Sequence, residues 1–457
     1  MPTNKIETDV CVIGAGLAGL TAARRLSQGG RAVTVMEARD RVGGRVWTRP
    51  GTSGLRIDMG ATFIGPHHDR LHALTKEMGV STFATHTAGD TILATGGKVR
   101  RYRGDVPRIN PLALLSAGQA IYRLNAMAKK VPVDAPWDAP RASEWDAQTA
   151  AGWLTRTNVP TRQARVLLET TIRALFCCDL SEVSLLDVLY LIRSAGNLEA
   201  LMTVEGGYQQ DQFVGGAQSI PEAMAAELGD SVVLGTPVHA VTHRADAVEV
   251  VSPEITVVAR HAIMAIPPAL ASRVHFDPPL AADRALLLHQ LPAGTEIKAV
   301  VVYNEPFWRS DGVSGASVAM DDPYEVTLDT TPPPGDVGVM ALYAAGPKAR
   351  TLAALQPDDR RRIVLDIMRR RFGPKASSPI ETTEQNWAEE EWTRGCSMAH
   401  FGPGVLTQYG QLLREPIGRI HWAGTETAGT SHGAMDGAVR SGERAADEIL
   451  QGAISAS

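Results

Sequence analysis

Three glycines near the start of the chain have the spacing of a phosphate-binding turn. Gly14, Gly16 and Gly19 form the pattern G-x-G-x-x-G. Glycine suits these positions because the backbone must approach a pyrophosphate closely, at a helix N-terminus whose free N–H groups favour negative charge. Glu37 follows about twenty residues later, where a carboxylate can accept hydrogen bonds from ribose hydroxyls. Together these residues predict a dinucleotide-binding site.

The segments around the glycines predict the elements that position them. The apolar run Val10–Ile13 has the length of a buried strand, and Leu20, Ala23 and Leu26 continue at helical spacing. A second apolar run, "AVTVMEA", leads to Glu37. A strand, a tight turn, a helix and a second strand are typical of a Rossmann-type α/β domain.

Other residues could do chemistry, but their types alone leave their roles open. Cys396, in "RGCSMAHFGPG", is either a small buried residue, as most solitary intracellular cysteines are, or a reactive thiol. Lys298 lies in the apolar pattern "EIKAVVVYN", which by itself indicates a strand lysine reaching to solvent. His239 and His243 are four residues apart, but the valines around them indicate a strand instead of a helical zinc pair. The sequence therefore predicts no metal site.

Composition limits the partners of the protein. The chain has 457 residues, is 44% hydrophobic and carries a formal net charge of −5, which suits an ordinary soluble protein of two or three domains. This balance favours neither nucleic acid nor an anionic membrane surface. The four cysteines lack C-x-x-C spacing, the first residues lack a signal-peptide pattern, and neither end holds an apolar run of about 18 residues. We therefore expect a cytoplasmic protein with reduced thiols and no membrane anchor.

The residues after Glu37 extend the dinucleotide pattern. "RDRVGGR" (residues 39–45) and the turn that begins at Asp58 go beyond what a nicotinamide site requires, and they resemble the extended FAD fingerprint of the flavin amine oxidases. The resemblance continues along nearly the whole chain, and within the family it is strongest to the monoamine oxidases, here without their C-terminal membrane helix. It is carried by "GATFIGPHHDRL", "FVGGAQSIPEAMAAELGD", "AIPPAL", "IKAVVVYNEPFW", "NWAEEEW", "GPGVLTQYG" and "RIHWAGTETA".

This resemblance implies FAD as the cofactor and an α/β fold of the two-dinucleotide-binding-domain flavoproteins. A Rossmann-type FAD-binding domain is expected in residues 1–86, 214–296 and 397–457, with an interleaved α+β substrate-binding domain in 87–213 and 297–396. The residues expected to contact FAD are Gly14, Gly16, Ala18, Gly19, Glu37, Ala38, Arg39, Gly44, Arg45, Gly60, Ala61, Thr62, Val238, Trp387, Cys396, Gly424, Glu426 and Met435.

The resemblance also implies roles for three residues in the chemistry. Lys298 matches the lysine that holds a water against N5 of the flavin, so it is the expected catalytic residue. Trp387 matches a tryptophan packed beside the flavin. Cys396 occupies the position at which the membrane-bound monoamine oxidases bond their flavin through a cysteinyl thioether. We therefore expect FAD to be attached covalently through Cys396.

Two aromatic residues of the monoamine oxidases are missing from the expected substrate pocket. The family presents its amine to the flavin between two tyrosines, and this chain has Ser397 and Ala434 at those positions. Either Trp387, Phe63 and Tyr208 replace this cage in part, or the extra space admits a bulky or long-chain amine. The resemblance implies a pocket lined by Phe63, Leu175, Phe176, Tyr208, Ser397 and Ala434.

The sequence therefore predicts a FAD-dependent amine oxidase. It would convert a primary amine through an imine to an aldehyde and release ammonia and hydrogen peroxide. Because no second G-x-G-x-x-G for a nicotinamide partner is visible, O2 is the expected electron acceptor. A polyamine oxidase or L-amino-acid oxidase of the same fold, a non-catalytic FAD-binding scaffold and a homodimeric assembly all remain open.

Overall fold

The computed structural model describes residues 4–104, 110–157 and 159–454. Most of its strands belong to two large sheets. In chain order the strands are β1 (Asn4–Ile13), β2 (Val33–Met36), β3 (Thr48–Pro50), β4 (Arg56–Asp58), β5 (Phe63–Ile64), β6 (Thr82–Ala84), β7 (Asp90–Thr95), β8 (Lys98–Tyr102), β9 (Asp211–Phe213), β10 (Val232–Val233), β11 (Ala240–His243), β12 (Val248–Val251), β13 (Ile255–Met264), β14 (His275–Asp277), β15 (Glu296–Tyr303), β16 (Val313–Ala319), β17 (Val326–Asp329), β18 (Gly338–Ala345), β19 (Glu381–Asn386) and β20 (Ile420–Trp422).

The α-helices pack against these sheets and against one another. They are α1 (Leu17–Gln28), α2 (Asp69–Glu77), α3 (Pro111–Ala128), α4 (Ala142–Asp146), α5 (Ala150–Arg156), α6 (Arg162–Phe176), α7 (Leu185–Ala195), α8 (Leu198–Met202), α9 (Ser219–Leu228), α10 (Pro268–Ala271), α11 (Ala282–His289), α12 (Phe307–Ser310), α13 (Pro347–Ala353), α14 (Pro357–Phe372), α15 (Val405–Tyr409) and α16 (Met435–Ile454).

The first sheet has the order β10-β2-β1-β13-β12-β11-β14, with β20 also pairing with β13. β1 lies between β2 and β13 and is parallel to both. A parallel strand that is buried on both faces should be apolar throughout, and Val10–Ile13 is wholly buried. The predicted strand, glycine turn and helix α1 are therefore confirmed, and the predicted strand at His243 is β11.

The second sheet has the order β19-β15-β18-β17-β16-β7-β8. β15 runs antiparallel to both β18 and β19, and Lys298 lies opposite Tyr343 and Gln385. Alternate residues of a strand point to opposite faces, so Lys298 shares a face with Val300 and Val302. Those two valines belong to a small buried cluster with Ile57 and Met59. The period of the strand thus directs Lys298 towards the turn after β4.

A helical layer supplies a third core. Leu124 of α3, Phe176 of α6 and Tyr190 of α7 belong to one buried cluster, together with Phe401. α3 starts after Asn110, whose side chain accepts a 2.9 Å hydrogen bond from Leu112 N. Such an N-cap satisfies one of the free N–H groups of the first turn.

The distribution of strands bears on the expected domains. Every strand of the first sheet falls in residues 1–86, 214–296 or 397–457, and every strand of the second falls in 87–213 or 297–396, except that β15 begins at Glu296. The division into two domains stays a prediction, and its ends at residues 1–3 and 455–457 lie outside the described residues. Within the described ranges, none of the helices combines the length and the apolar character needed to cross a membrane.

Candidate active site

A cavity of about 700 Å³ opens at the carboxyl ends of β1, β2 and β13. Parallel α/β sheets bind their ligands at this end. The wall also includes Glu296 of β15, Tyr343 of β18 and the first residue of α16. The cavity therefore connects the predicted dinucleotide turn to the second sheet.

The three glycines of the turn are needed for three different reasons. Gly14 has a φ of +105°, and a Cβ there would lie 2.8 Å from Ala265 O. A Cβ on Gly19 would lie 1.9 Å from Gly14 O, so this glycine allows α1 to pack closely on the turn. By contrast, no atom of the described residues lies within 4 Å of a Cβ placed on Gly16, which lines the cavity. Gly16 therefore leaves room for a ligand, as a phosphate cradle requires.

Glu37 is fixed at the end of β2 with its carboxylate in the cavity wall. Its Oε2 accepts a 2.8 Å hydrogen bond from Ala15 N, and its Oε1 accepts one of 3.0 Å from Arg39 N. The side chain is 3% exposed. Two backbone donors thus hold the carboxylate in place, and its remaining lone pairs are available to ribose hydroxyls.

Arg45, which is partly exposed, and Glu426, which is buried, form an ion pair beside the glycine turn. Arg45 Nη1 and Nη2 donate to the two carboxylate oxygens at 2.7 and 3.1 Å, and Nη1 also donates to Ser397 O at 2.8 Å. Although burial works against ionisation, Arg45 lowers the pKa of Glu426. This pair joins the 39–45 segment to the Gly424–Glu426 turn, and both of its members line the cavity.

Lys298 is buried behind the cavity wall and bound to the turn after β4. Its Nζ donates to Gly60 O at 2.9 Å and to Thr62 Oγ1 at 2.7 Å, and its side chain is 1% exposed. Nζ also lies 5.4 Å from the centroid of the Tyr343 ring. Lys298 itself does not line the cavity among the described residues, but Gly60, Thr62 and Tyr343 do. The lysine is a buried cation and not the solvent-reaching side chain that its strand pattern alone indicated.

The groups around Lys298 have shifted pKa values. Burial lowers the pKa of Lys298 to about 8, although the carboxylates of Asp58 and Glu296 oppose this shift. Burial raises the pKa of Asp58 to about 6, and the Lys298 ammonium opposes it. Burial also raises the pKa of Glu296, against the effects of Cys177, Lys298 and Cys396. A lysine and a carboxyl group that both titrate near neutral pH are typical of functional sites.

Trp387 packs behind the same turn. Its Nε1 donates a 3.0 Å hydrogen bond to Met59 O, and its ring meets that of Trp47 edge-on at 6.4 Å. A Cβ on Gly60 would lie 3.0 Å from the Trp387 ring. Trp387 is wholly buried and supports the wall at Gly60 without lining the cavity itself.

Cys396 lies in the wall of the cavity, and its residue is 8% exposed. Its backbone N donates a 2.9 Å hydrogen bond to Gly294 O, which fixes it beside the start of β15. Burial and the Glu296 carboxylate raise the pKa of the thiol well above its usual value, although Arg45 and Lys298 oppose this. The thiol is therefore protonated at neutral pH, with the carboxylates of Glu296 and Glu426 and two cations around it.

The comparisons with known proteins agree with this geometry. A sequence model of the flavin-containing amine oxidoreductases matches residues 17–450. The chain belongs to this family. AofH of Mycobacterium tuberculosis, whose name assigns it provisionally to the flavin-containing monoamine oxidases, is 40% identical over 441 residues, which are 96% of each chain.

Two solved structures of amine oxidases are also similar to this flavin-containing amine oxidase. Putrescine oxidase bound to putrescine has a TM-score of 0.94 and 32% identity, over 98% of this chain and 100% of that one. Cyclohexylamine oxidase from Brevibacterium oxydans also has a TM-score of 0.94, with 33% identity over 97% of this chain and 99% of that one. The predicted family, its α/β FAD-binding fold and its activity as an amine oxidase are thus confirmed.

The cavity of this amine oxidase fits FAD by its shape and its donors. Gly16 leaves open space at the N-terminus of α1, where phosphates bind, and Glu37 can accept from a ribose. The N-terminus of α16 reaches the opposite part of the wall and suits an electron-rich ring. Of the residues expected to contact FAD, Gly19 and Trp387 lie outside the wall, and those that line it are Gly14, Gly16, Ala18, Glu37, Ala38, Arg39, Gly44, Arg45, Gly60, Ala61, Thr62, Val238, Cys396, Gly424, Glu426 and Met435.

The expected substrate-pocket residues divide into two groups. Phe63, Ser397 and Ala434 line the cavity. Phe176 instead has no exposed surface and packs in the helical core, where Leu175 and Tyr208 contact the same cluster. These three residues do not line the cavity in the described part of the chain. The reason is that Phe176 ends α6, and its side chain turns into the helical layer.

Among the wall residues that were not predicted from the sequence, two bring polar groups close to Lys298 and Cys396. Tyr343 lines the cavity with its hydroxyl buried and unpaired among the described residues, and Glu296 brings a carboxylate to the wall beside Cys396. One signal could have found Glu296, because it lies two residues before Lys298 and therefore on the same face of β15. Tyr343 had no such signal, because its pairing with Lys298 depends on the register of β18 against β15.

Proposed function

We propose that this flavin-containing amine oxidase converts a primary amine through an imine to an aldehyde, releasing ammonia and hydrogen peroxide, with O2 as the acceptor. One observation carries the proposal. A single cavity extends from the Gly14–Gly16 turn to a wall made by Thr62, Tyr343 and Cys396, with Lys298 buried directly behind it. A cofactor held at the glycine turn can therefore present its reactive part to an amine near Lys298.

The chemistry divides between the cofactor and the chain. FAD, when bound, accepts the two electrons that leave the amine. The chain's part is to hold the amine in a water-poor space and to supply a proton-binding group. Lys298 suits the second task because its pKa, lowered by burial to about 8, lies close to neutral pH. Its bonds to Gly60 and Thr62 fix the position of Nζ at the wall.

We also propose that FAD is bonded to Cys396. The position of this residue in the cavity wall and its backbone bond to Gly294 support the proposal, because a thiol must be held in contact with the cofactor for a bond to form. Cys11, Cys177 and Cys178 are likewise free and buried, which supports a reducing, cytoplasmic location.

The small residues at the wall support the proposal that the substrate is a large or long-chain amine. Ser397 and Ala434 both line the cavity, where the monoamine oxidases place two tyrosine rings. Ser397 Oγ donates to Leu175 O at 3.4 Å, so the serine side chain turns towards the helical layer. Space near the amine is therefore wider than in a two-ring cage.

A diamine is the second candidate, and one observation favours it. Glu296 brings a carboxylate to the wall of the cavity, and a carboxylate can hold a second ammonium group. The similarity to a putrescine oxidase points in the same direction. For a diamine, Glu296→Gln should raise KM for putrescine at least 10-fold and leave KM for a monoamine unchanged.

A peroxide-coupled screen of the purified holoenzyme tests these proposals. It should include benzylamine, long-chain and branched primary amines, putrescine, spermidine and L-amino acids. Peroxide from primary amines, with higher kcat/KM for the bulky ones, is the expected result. Turnover of L-amino acids alone would replace the proposal with an amino-acid oxidase. If none of these amines gives peroxide, the non-catalytic scaffold is the better description.

A further inference from the structure

Three potential metal ligands meet outside the cavity, at the end of α6. They are Cys178, Glu182 and His400, and each offers a ligand atom within 4.8 Å of the other two. Cys178 follows the last turn of α6, Glu182 lies in the turn before α7, and His400 lies four residues after Cys396. Two segments of the chain, the connection between α6 and α7 and the stretch around His400, therefore bring one soft and two harder ligands to one point.

The backbone around this cluster is fixed by hydrogen bonds. Ser184 N donates to Phe401 O at 2.8 Å, and Phe401 N donates to Asp187 Oδ2 at 2.8 Å. His400 N donates to Pro292 O at 3.1 Å. These bonds hold the His400 segment against the turn that carries Glu182, so the ligands do not depend on flexible loops for their relative positions.

Two of the three side chains are buried, and one of them has an unpaired ligand atom. Cys178 is 1% exposed and His400 is 4% exposed, and His400 Nδ1 has no hydrogen-bond partner among the described residues. Glu182 is exposed, so a metal ion can reach the three ligands from solvent at this residue. Hydrogen bonds among the described residues therefore do not explain why the imidazole of His400 is buried next to a thiol and a carboxylate.

We propose that Cys178, Glu182 and His400 bind a zinc ion, with water as the fourth ligand. Thiolate, imidazole and carboxylate together match the ligands of tetrahedral zinc at about 2.0–2.3 Å from the metal. Ligand atoms that are now up to 4.8 Å apart need to close by about 1 Å to reach that geometry. The exposed side chain of Glu182 can make this movement by exchanging its 2.6 Å hydrogen bond from Asp179 N and its contacts with Arg350 for the metal.

Arg350 competes for the same site. Its Nη2 lies 3.3 Å from Glu182 Oε1, and its side chain is 44% exposed. A zinc ion would take this carboxylate from the guanidinium. Zinc coordinates the thiolate form of cysteine, so binding must release the proton of the Cys178 thiol and should tighten as pH rises.

The site would connect the end of α6 to a segment that lines the cavity. Cys178 is three residues from Leu175, whose carbonyl accepts from Ser397 Oγ, and His400 is three residues from Ser397 itself. A bound zinc ion would thus tie α6 to the segment that carries Cys396 and Ser397. Because it binds the folded state, zinc should raise the thermal midpoint of the holoenzyme.

The test is zinc titration of the untagged, chelator-treated holoenzyme by calorimetry in two buffers of different ionisation enthalpy. We expect one site per chain, release of a proton, and binding at least 100-fold weaker in Cys178→Ser and in His400→Ala. Arg350→Ala should bind more tightly than the unmodified protein, because it removes the competing cation. His289→Ala, which changes an exposed histidine of α11, should bind as the unmodified protein does.

Two results would overturn the proposal. One is the absence of stoichiometric zinc binding to the unmodified holoenzyme. The other is equal zinc affinity in the unmodified protein, Cys178→Ser and His400→Ala, which would place the ion elsewhere. If a ligand variant fails to fold, Arg350→Ala and Glu182→Gln decide the question, since the first should strengthen binding and the second should weaken it.

Discussion

Lys298 Nζ donates a 2.7 Å hydrogen bond to Thr62 Oγ1, although the two residues are 236 positions apart in the chain. The bond joins β15 to the turn that follows β4. It places the buried ammonium of Lys298 directly behind the cavity wall. Thr62, which lines the wall, connects the ammonium to the cavity. The pH behaviour of the protein should therefore depend on this lysine.

Replacement of Lys298 by Met should change how stability depends on pH. The pKa of Lys298 is about 8 in the folded protein and about 10.4 in an unfolded chain. Between these values the unfolded state binds more protons, so stability rises with pH. From pH 7 to pH 9 the unmodified protein should gain about 1 kcal/mol relative to Lys298→Met.

Denaturant unfolding at the two pH values measures this gain, and equal pH responses of the two proteins would rule it out. Lys298→Met should also lower kcat/KM at least 10-fold and remove any inflection near pH 8 from its pH profile. Thr62→Val, which removes one of the two acceptors of Nζ, is the matched variant and should have a smaller effect in the same direction.

Alanine at Gly14 and at Gly16 should have different consequences. At Gly14 the positive φ and the 2.8 Å contact with Ala265 O oppose a side chain, so Gly14→Ala should destabilise the apoprotein by about 1–3 kcal/mol. At Gly16 the new methyl group enters only the space of the ligand. Gly16→Ala should keep the unfolding midpoint of the apoprotein and lose FAD affinity. Thermal unfolding and flavin absorbance separate the two, and equal destabilisation would contradict the distinction.

Glu426→Gln should be much more damaging than loss of a surface ion pair. It leaves the Arg45 guanidinium, which is largely but not fully buried, without its carboxylate, and the loss should approach the roughly 3–5 kcal/mol of fully buried pairs. Asp447→Asn, which breaks the exposed pair with Arg25, is the control and should cost less than about 1 kcal/mol. Chemical unfolding of both variants provides the comparison, and similar losses would show that Arg45 does not need Glu426.

Cys396→Ala should release FAD into the supernatant after acid precipitation, whereas the unmodified protein should keep its yellow colour in the pellet. Cys177→Ala is the matched control, because Cys177 Sγ donates to Glu296 Oε2 at 3.2 Å and so shares the carboxylate that faces Cys396. That variant should retain covalent flavin. Colour found entirely in the supernatant of the unmodified protein would exclude the thioether.

Tyrosine at both positions 397 and 434 should reverse substrate preference. Ser397→Tyr with Ala434→Tyr places two rings in the cavity wall, where they reduce the space near the amine. The unmodified enzyme should have a higher kcat/KM for bulky amines than for benzylamine, and the double variant should have the opposite order. A preference for benzylamine in the unmodified enzyme would mean that other aromatic residues, such as Phe63 and Tyr343, form the cage.

The sequence by itself determined the features that lie within one contiguous segment. Gly14, Gly16, Gly19 and Glu37 identify a dinucleotide site because a strand, a turn and a helix fix the relative positions of neighbouring residues. The family followed from ordered blocks along the whole chain, and with it most of the expected FAD contacts that line the cavity. Periodicity likewise gave the face of β15 on which Lys298 lies.

Only the tertiary structure decided which residues from different elements meet. The pairing of β15 with β18 put Tyr343 beside Lys298, and the close approach of residue 294 to Cys396 brought Glu296 to the thiol. Phe176 packs in the helical core, although it was expected from the sequence to line the substrate pocket. The physical reason is that periodicity gives a side chain's direction relative to its own helix or strand. What lies in that direction depends on how the sheets and helices pack together.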